Sequence, residues 1–339
     1  MKLSPALSSS LHGAFAPLLA GVLAAKLSAI ARSPVGIRDS GERGSTHLMI
    51  GKSSRGKLDV GLDMASLKTN RHAFSSLWRR AGVFVDLLAD SAVPPGTFRC
   101  DTNDMAREAG PTLAFCSNRP GTILVPDRGF YTKGGYAAER ARAVSAPAWE
   151  TRSPVVLWRG NRSGSGQAVT ATMSPHDPEL LQRARLCLIA RDIPDTDIHF
   201  AVSARWPAAV ADRYRAERIA GGFVDEATWL GRKFAIDIDG NSNAFSNLFI
   251  RMLYGCCLIK VASPFDFRQW YYEDLVPWTH YVPVAADMSD LAEKIRWCRD
   301  NDDACRTIAA NGKAFADART FASERRATIE RIRAAFSAR

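Results

Sequence analysis

Apolar positions along this chain fall into two patterns: short runs bounded by polar turns, and longer stretches at helical spacing. Lys233–Ile238 (KFAIDI) is a short apolar run. Gly240 follows, then Asn241, Ser242 and Asn243. Phe245, Leu248, Phe249, Met252 and Leu253 come next, at intervals that place them on one helix face. The segment therefore predicts a buried strand, a glycine turn and an amphipathic helix. Gly240 permits a tight turn, and the three small polar residues are N-cap types. Backbone N–H groups left free at such a helix start can hold a phosphate. On its own, the segment reads first as the ordinary joint of an α/β unit, since a single glycine turn is a weak motif.

The pattern recurs. Pro111–Cys116, Thr122–Val125, Val155–Trp158 and Ile198–Val202 read as short buried strands, Ala81–Leu88 is a further apolar run, and Pro178–Ala190 reads as a helix. Ala148–Pro154 is polar and fits a crossover between two halves. The last stretch, Arg319–Arg339, puts Phe321, Ile329, Ile332 and Phe336 on one helix face and many Arg on the other, the pattern of a solvated packing helix. Strands alternating with helices predict parallel sheets with ligands at the strand C-terminal ends. Periodicity alone gives α/β and no finer class.

Composition narrows the partners. The 339 residues are enough for two α/β domains, and a hydrophobic content of 46% supports real cores. A net charge of +10 and a pI near 9.5 imply anionic partners. The Arg residues are scattered and no nucleic-acid-binding motif occurs, which leaves a phosphorylated glycolipid, an anionic membrane surface and a nucleotide sugar as the anionic partners to weigh. The seven cysteines include no CxxC and no zinc spacing with His, so they read as buried, reduced thiols of a cytoplasmic protein. Ala14–Ile30 is apolar apart from Lys26, with only Lys2 as an early positive charge. It is shorter than a confident membrane span. A signal peptide is one reading; a helix packed on the first domain or lying on a membrane surface is the preferred one.

The C-terminal half carries a specific succession. After the Gly240 turn and its helix come a second strand ending at Lys260, the Trp270-Tyr271-Tyr272 segment, and Leu275–Val284 with Pro277, Trp278, His280 and Tyr281. Asp290-Leu291 and Asp302–Gly312 complete it, and Val155–Gly164 (VVLWRGNRSG) forms a separate strand and loop. This succession resembles glycosyltransferase family 90, which holds protein O-glucosyltransferases, capsule xylosyltransferases and bacterial lipopolysaccharide-core transferases. The likeness is strong over 233–316, fair around 155–164 and weak before about 110, and looks closest to the bacterial branch. It implies a GT-B-like α/β fold of two facing Rossmann-like domains with the donor site in the cleft. Domain limits are then expected at 1–150 (with 1–35 a surface- or membrane-associated helix), 151–318 and 319–339.

Glycosyl transfer needs groups that stabilise a leaving diphosphate and, for inversion, a base for the acceptor hydroxyl. Arg159 and Arg162 flank Gly160 at a strand end, where guanidinium forks and backbone N–H groups can meet. The resemblance implies that Gly160, Asn161, Arg162 and the turn Asn241, Ser242, Asn243, Ala244, Phe245 line the donor site; Arg159, Ser163, Asp239 and Gly240 complete the expected set. Two departures stand out. Ser246 falls where characterised relatives carry an Arg, and the base Asp expected after a P-D motif, here Pro126-Asp127, falls at Tyr136. Asp127 itself is then the candidate base, with an Asx turn or cap as its other reading and Asp101 and Asp104 as alternatives. His280 reads as structural. Asp237-Ile238-Asp239 puts two carboxylates on one face, suiting a metal or a solvated strand end; the family fold implies metal-independent work and no cofactor. The expected function is an inverting transfer of a sugar from a nucleotide sugar, UDP-linked, to a lipopolysaccharide-core or other surface glycan. A protein O-glycosyltransferase and an inactive nucleotide- or carbohydrate-binding protein are the alternatives. A peripheral place at an anionic membrane completes the expectation.

Overall fold

Short apolar runs ending in polar loops fold here into two separate six-stranded sheets. The computed structural model describes residues 16–42, 47–65, 71–106 and 109–337. Packing divides the chain into Met1–Thr132 with Phe321–Arg339, and Lys133–Thr320. The break thus comes ahead of the boundary expected at 150. The reason lies in Trp149, which donates its indole N–H to Asp302 at 2.9 Å and packs edge-on to Phe234, so the stretch before residue 150 belongs with the second unit. The final helix belongs with the first.

The first unit contains α1 (Ala16–Ala31), β1 (Val35–Asp39), β2 (His47–Lys52), β3 (Leu58–Leu62), α2 (Arg71–Ala89), β4 (Gly96–Asp101), β5 (Thr112–Ala114), β6 (Ile123–Leu124) and α3 (Arg128–Thr132). Its strand order is β1-β3-β2-β4-β5-β6. β2 runs antiparallel to both β3 and β4, while β4, β5 and β6 are parallel, so this sheet is mixed rather than a plain Rossmann sheet. Ala81–Leu88 lies inside α2, where Leu77, Ala81, Phe84, Val85 and Leu88 form the buried stripe. Gly82 lets α1 approach: a Cβ there would stand 2.7 Å from Ile30 Cδ1. Residues 14 and 15 of the N-terminal apolar stretch lie outside the described residues. No helix among the described residues is long and apolar enough to cross a membrane.

The second unit contains α4 (Ala137–Ala143), β7 (Val156–Gly160), α5 (Gln182–Ala190), β8 (Thr196–Ala201), α6 (Ala208–Ala216), β9 (Ala220–Gly221), β10 (Phe234–Asp237), α7 (Asn247–Leu253), β11 (Cys257–Val261), β12 (Val282–Val284), α8 (Leu291–Asp300) and α9 (Asp302–Ala318). α10 (Phe321–Ser337) returns to the first unit. All strand pairs of the second sheet are parallel. Parallel strands covered on both faces read as near-continuous apolar runs, as Cys257–Val261 does apart from Lys260, with all five residues buried. Val156, Trp158, Phe200, Phe234, Ile236 and Ile259 share the core. Each such side chain contributes about 1.5–3 kcal/mol by burial. All seven cysteines are buried.

Candidate active site

The second sheet runs β12-β11-β10-β7-β8-β9. Starting at β7, the chain builds outward to β8 and β9, then returns to the other side of β7 with β10, β11 and β12. Strand order therefore reverses between β7 and β10, which pair in parallel at Ala235 and Leu157. Loops leaving the C-terminal ends of two such neighbours diverge and leave a crevice, the usual ligand position in open α/β sheets. The loop after β7 is Asn161–Gly166 and that after β10 is Ile238–Phe245, the two segments singled out by sequence.

A residue that the sequence reading did not single out joins them. Arg183, buried near the start of α5, donates Nη1 to Ser163 Oγ at 2.7 Å and to Asn161 O at 3.1 Å. Its Nε donates to Asp239 O at 2.8 Å and its Nη2 to Ile238 O at 3.2 Å. The guanidinium also lies over the Trp158 ring, 5.8 Å from its centroid. Burial lowers its pKa, with Asp237 and Asp239 acting in the opposite sense. The signal was present in LLQRARLCLIA: Arg183 shares the apolar stripe of Leu180, Ala184 and Cys187, where a cation is tolerated only if its donors are met.

The loops also touch directly. Gly164, at φ 134°, donates its N–H to Asn241 Oδ1 at 3.0 Å. A Cβ at Gly164 would stand 3.2 Å from Gly240 O, and one at Gly240 would stand 2.9 Å from Ser163 Oγ. Gly240 does not have a left-handed φ. Glycine is needed there for close approach to Ser163 and Arg183, not for the tight turn expected from sequence. Gly160 is similar: a Cβ would collide with the Trp158 ring at 2.4 Å.

The two arginines do not converge as their spacing suggested. Arg159 turns to β8, with Nη2 on Asp197 Oδ1 at 2.6 Å, Nη1 on Asp197 O at 2.8 Å and Nε on Gly222 O at 3.2 Å. Asp197 answers it: burial pushes its carboxyl up, but the bonds and charges of Arg159 and His199 hold it below the ordinary value. Arg162 is exposed, with its guanidinium 5.6 Å from the Trp206 centroid. Of the pair, Arg162 is the one facing solvent.

The helix after β10 also differs from expectation. α7 spans only Asn247–Leu253, and Ser246 holds the N-cap place without a side-chain cap bond. Asn241 serves Gly164 instead, and Asn243 Nδ2 bridges Asp239 Oδ1 at 3.1 Å and Phe267 O at 3.0 Å. Ser242, Asn243 and Ala244 are buried, while Asn241 is exposed and Phe245 half-buried. The polar residues thus fix the loop rather than cap a helix. Ser246 sits at φ 72°, ψ −37°, and Tyr136 Oη donates to its Oγ at 2.9 Å. Gly134, Gly135 and Tyr136 are three successive left-handed residues, so the GGY turn delivers a fully buried tyrosine to this point. The two positions that depart from the expected Asp and Arg therefore meet each other.

The two carboxylates of Asp237-Ile238-Asp239 are both buried. Asp237 Oδ2 lies 3.2 Å from Lys260 Nζ at the end of β11. Burial raises the carboxyl pKa of Asp239, with Lys260, Ser263 and Asn243 opposing. These are the oxygens that a cation at the crevice would use; among the described residues, no cluster of three or more His, Cys, Asp or Glu is arranged to hold one. His280 accepts the Val276 N–H on Nδ1 at 3.0 Å, and burial, then Arg319, lowers its pKa, so it braces the Leu275–Tyr281 turn.

In the first unit, acids gather at the C-terminal edge of parallel β4, β5 and β6. Asp101 Oδ2 lies 3.3 Å from His47 Nε2, and Arg80 holds Asp104. Asp127, 3% exposed, accepts the N–H groups of Gly129 at 2.6 Å and Phe130 at 3.1 Å on Oδ1, which is the geometry of a cap for α3.

Residues 85–322 match Glycosyl transferase family 90. The chain belongs to this family. Among curated proteins it is 26% identical to protein O-glucosyltransferase 3 of Rattus norvegicus over 172 residues, covering 51% of this chain and 29% of that one. It is 29% identical to the uncharacterized protein 179R of Invertebrate iridescent virus 6 over 184 residues, covering 49% of this chain and 15% of that one. The chain thus spans under a third of the length of either. Among solved structures, Anabaena Alr3699/HepE in complex with UDP and glucose aligns with TM-score 0.40 and 13% identity, covering 93% of this chain and 81% of that one. Within this family 90 chain, the matched region takes in the whole of the second sheet and both loops at its switch point.

Proposed function

We propose that this family 90 protein is an inverting glycosyltransferase whose UDP-linked sugar donor binds across the β7 and β10 loops. The carrying observation is the reversal of strand order between β7 and β10, with both loops tied by Arg183. Backbone N–H groups of the two loops and the exposed Arg162 supply the diphosphate contacts, together with Gly160, Asn161, Ser163 and Asp239–Phe245. The acceptor hydroxyl attacks the anomeric carbon, the bond to UDP breaks, and the hydroxyl proton passes to a base. Asp127 is the base of this reading, its cap role notwithstanding, and the reaction proceeds without metal or cofactor. The acceptor is a lipopolysaccharide-core or related surface glycan, reached from the cytoplasmic face of the membrane. The strongly basic chain supports an acceptor bearing phosphate or carboxylate.

A second reading is protein O-glucosylation, favoured by the relatives of that name. Calorimetry with UDP and UDP-sugars, followed by donor hydrolysis, tests the first step. Micromolar binding with slow release of sugar to water is expected. Binding without turnover would indicate a nucleotide-binding protein that lacks catalysis, and absence of binding would overturn the donor assignment. Offering purified glycan and folded protein acceptors then separates the two transferase readings.

A further inference from the structure

Net charge is divided unequally between the units. Met1–Thr132 with Phe321–Arg339 holds 21 Lys and Arg against 12 Asp and Glu, a net +9, whereas Lys133–Thr320 holds 24 against 23, a net +1. The donor loops sit in the nearly neutral unit, so the positive field of the first unit has another addressee.

Beside α1 lies a cavity of about 570 Å³ whose lining includes Lys26, Ile30, Trp78, Arg79, Arg128 and Phe321. The Lys26 ammonium stands 4.0 Å from the Trp78 ring centroid and donates to Trp78 O. Arg128 Nε donates to Arg79 O at 3.2 Å, which brings the two guanidinium-bearing residues together. Among the described residues, none of these three cations has a carboxylate partner within ion-pair distance. The acid at the cavity, Asp86, is already taken by Arg325 Nε at 2.8 Å and by Tyr131 Oη. Burial lowers the Lys26 pKa, and Arg128 adds repulsion. Three cations thus line one groove, and the carboxylate described there, Asp86, is engaged by Arg325 and Tyr131.

The helix beside it is apolar on both sides: Leu23 and Leu27 are buried, and apolar residues also occupy its outer side. Leu18, Val22, Lys26 and Ile30 follow at intervals of four and share one side of α1. Leu18 is 63% exposed and Val22 52%. These outward apolar side chains adjoin the basic groove, so the surface offers apolar groups for a lipid interface and cations for its phosphates, and no helix among the described residues suits crossing.

We propose that the first unit docks on an anionic phospholipid surface, with Leu18 and Val22 entering the interface and Lys26, Arg79 and Arg128 receiving a lipid phosphate. The contact is independent of donor binding. Sedimentation of the full chain with vesicles tests it. Vesicles of phosphatidylcholine with about one-third phosphatidylglycerol should carry several-fold more protein than phosphatidylcholine alone, and about 0.5 M salt should release it. The double variant Arg79→Gln/Arg128→Gln should lose roughly tenfold or more of that binding, since each surface cation near such a membrane counts for about fivefold. Leu18→Ser/Val22→Ser should weaken binding to the same vesicles several-fold at low salt, because no apolar side chain then enters the interface. Both variants replace exposed side chains, and unchanged melting and UDP affinity would show that fold and donor site are intact. Equal binding to the two vesicle types, or wild-type binding by the arginine double variant, overturns the proposal. So does full release by a few millimolar inorganic phosphate at constant ionic strength, which would assign the groove to a free phosphate instead.

Discussion

The guanidinium of Arg183 donates to Ser163 Oγ at 2.7 Å, and the same group bonds the main-chain oxygens of Ile238 and Asp239. One buried side chain thereby sets the spacing of the loops that the donor is proposed to bridge. Arg183→Gln leaves several buried oxygens short of donors, each costing about 1–3 kcal/mol. A lowered melting temperature and a roughly tenfold loss of UDP affinity are expected, with Arg183→Lys intermediate because a lysine cannot reproduce the fork. Wild-type melting and UDP binding in the Gln variant would remove Arg183 from this role.

Arg162 tests the same site from the solvent side. It is exposed and meets only the Trp206 face as a ring contact, so Arg162→Ala should leave stability within about 0.5 kcal/mol. UDP binding should weaken by about 1.5–3 kcal/mol, the range for a hydrogen bond to a charged group. Unchanged affinity in calorimetry would exclude a diphosphate contact.

Asp127 caps α3 and is the proposed base, and one pair of variants separates the two. Asn caps a helix as well as Asp does, whereas Ala costs about 0.5–2 kcal/mol. Asp127→Asn should therefore melt like the parent and Asp127→Ala lower. If the carboxylate is the base, both lose about 10²–10⁴-fold in turnover. Normal turnover by the Asn variant would leave Asp127 as the cap of α3 alone, and would bring Asp101 and Asp104 into consideration.

Chelation probes the buried pair Asp237 and Asp239. With Asp237 beside Lys260 and Asp239 bonded to Asn243, full turnover in EDTA is the expected outcome. Complete loss restored by a divalent cation would show that these carboxylates ligate a metal during the reaction.

Acid should loosen the last helix. Arg325 on α10 reaches Asp86 of α2 at 2.8 Å and Asp90, just past the end of α2, at 2.9 Å. Burial pushes the Asp90 carboxyl up, but the Ala92 N–H, Arg325 and Lys52 together hold it below its ordinary value. A depressed folded value means that the stabilisation is complete above the unfolded pKa, near 4, and fades as pH falls through the folded one. Arg325→Gln should lower the melting temperature by about 2–4 °C at neutral pH, the shift for about 1 kcal/mol. It should also flatten the decline below pH ~4. Parallel melting curves for parent and variant across that range would refute the assignment.

In the second unit the sequence by itself determined the alternation of elements, because a sheet buried on both faces demands apolar runs such as Val156–Trp158, and those runs are visible without coordinates; the first four strands of the first unit were not read from it. It also determined which two loops to watch, since Arg-Gly and Asp-Gly after such runs mark strand ends. The family resemblance rested on the same residues. Tertiary structure alone decided what each side chain does there. Arg159 and Arg162 differ little as letters, yet Asp197 on the neighbouring strand captures one and leaves the other in solvent. Gly240 proved necessary through the approach of Ser163 and Arg183, not through its own φ. Arg183 and the Tyr136–Ser246 bond join segments far apart in the chain. Local propensity carries no information about such partners; only the strand order that brings β7 beside β10, and α5 and the GGY turn against their loops, supplies it.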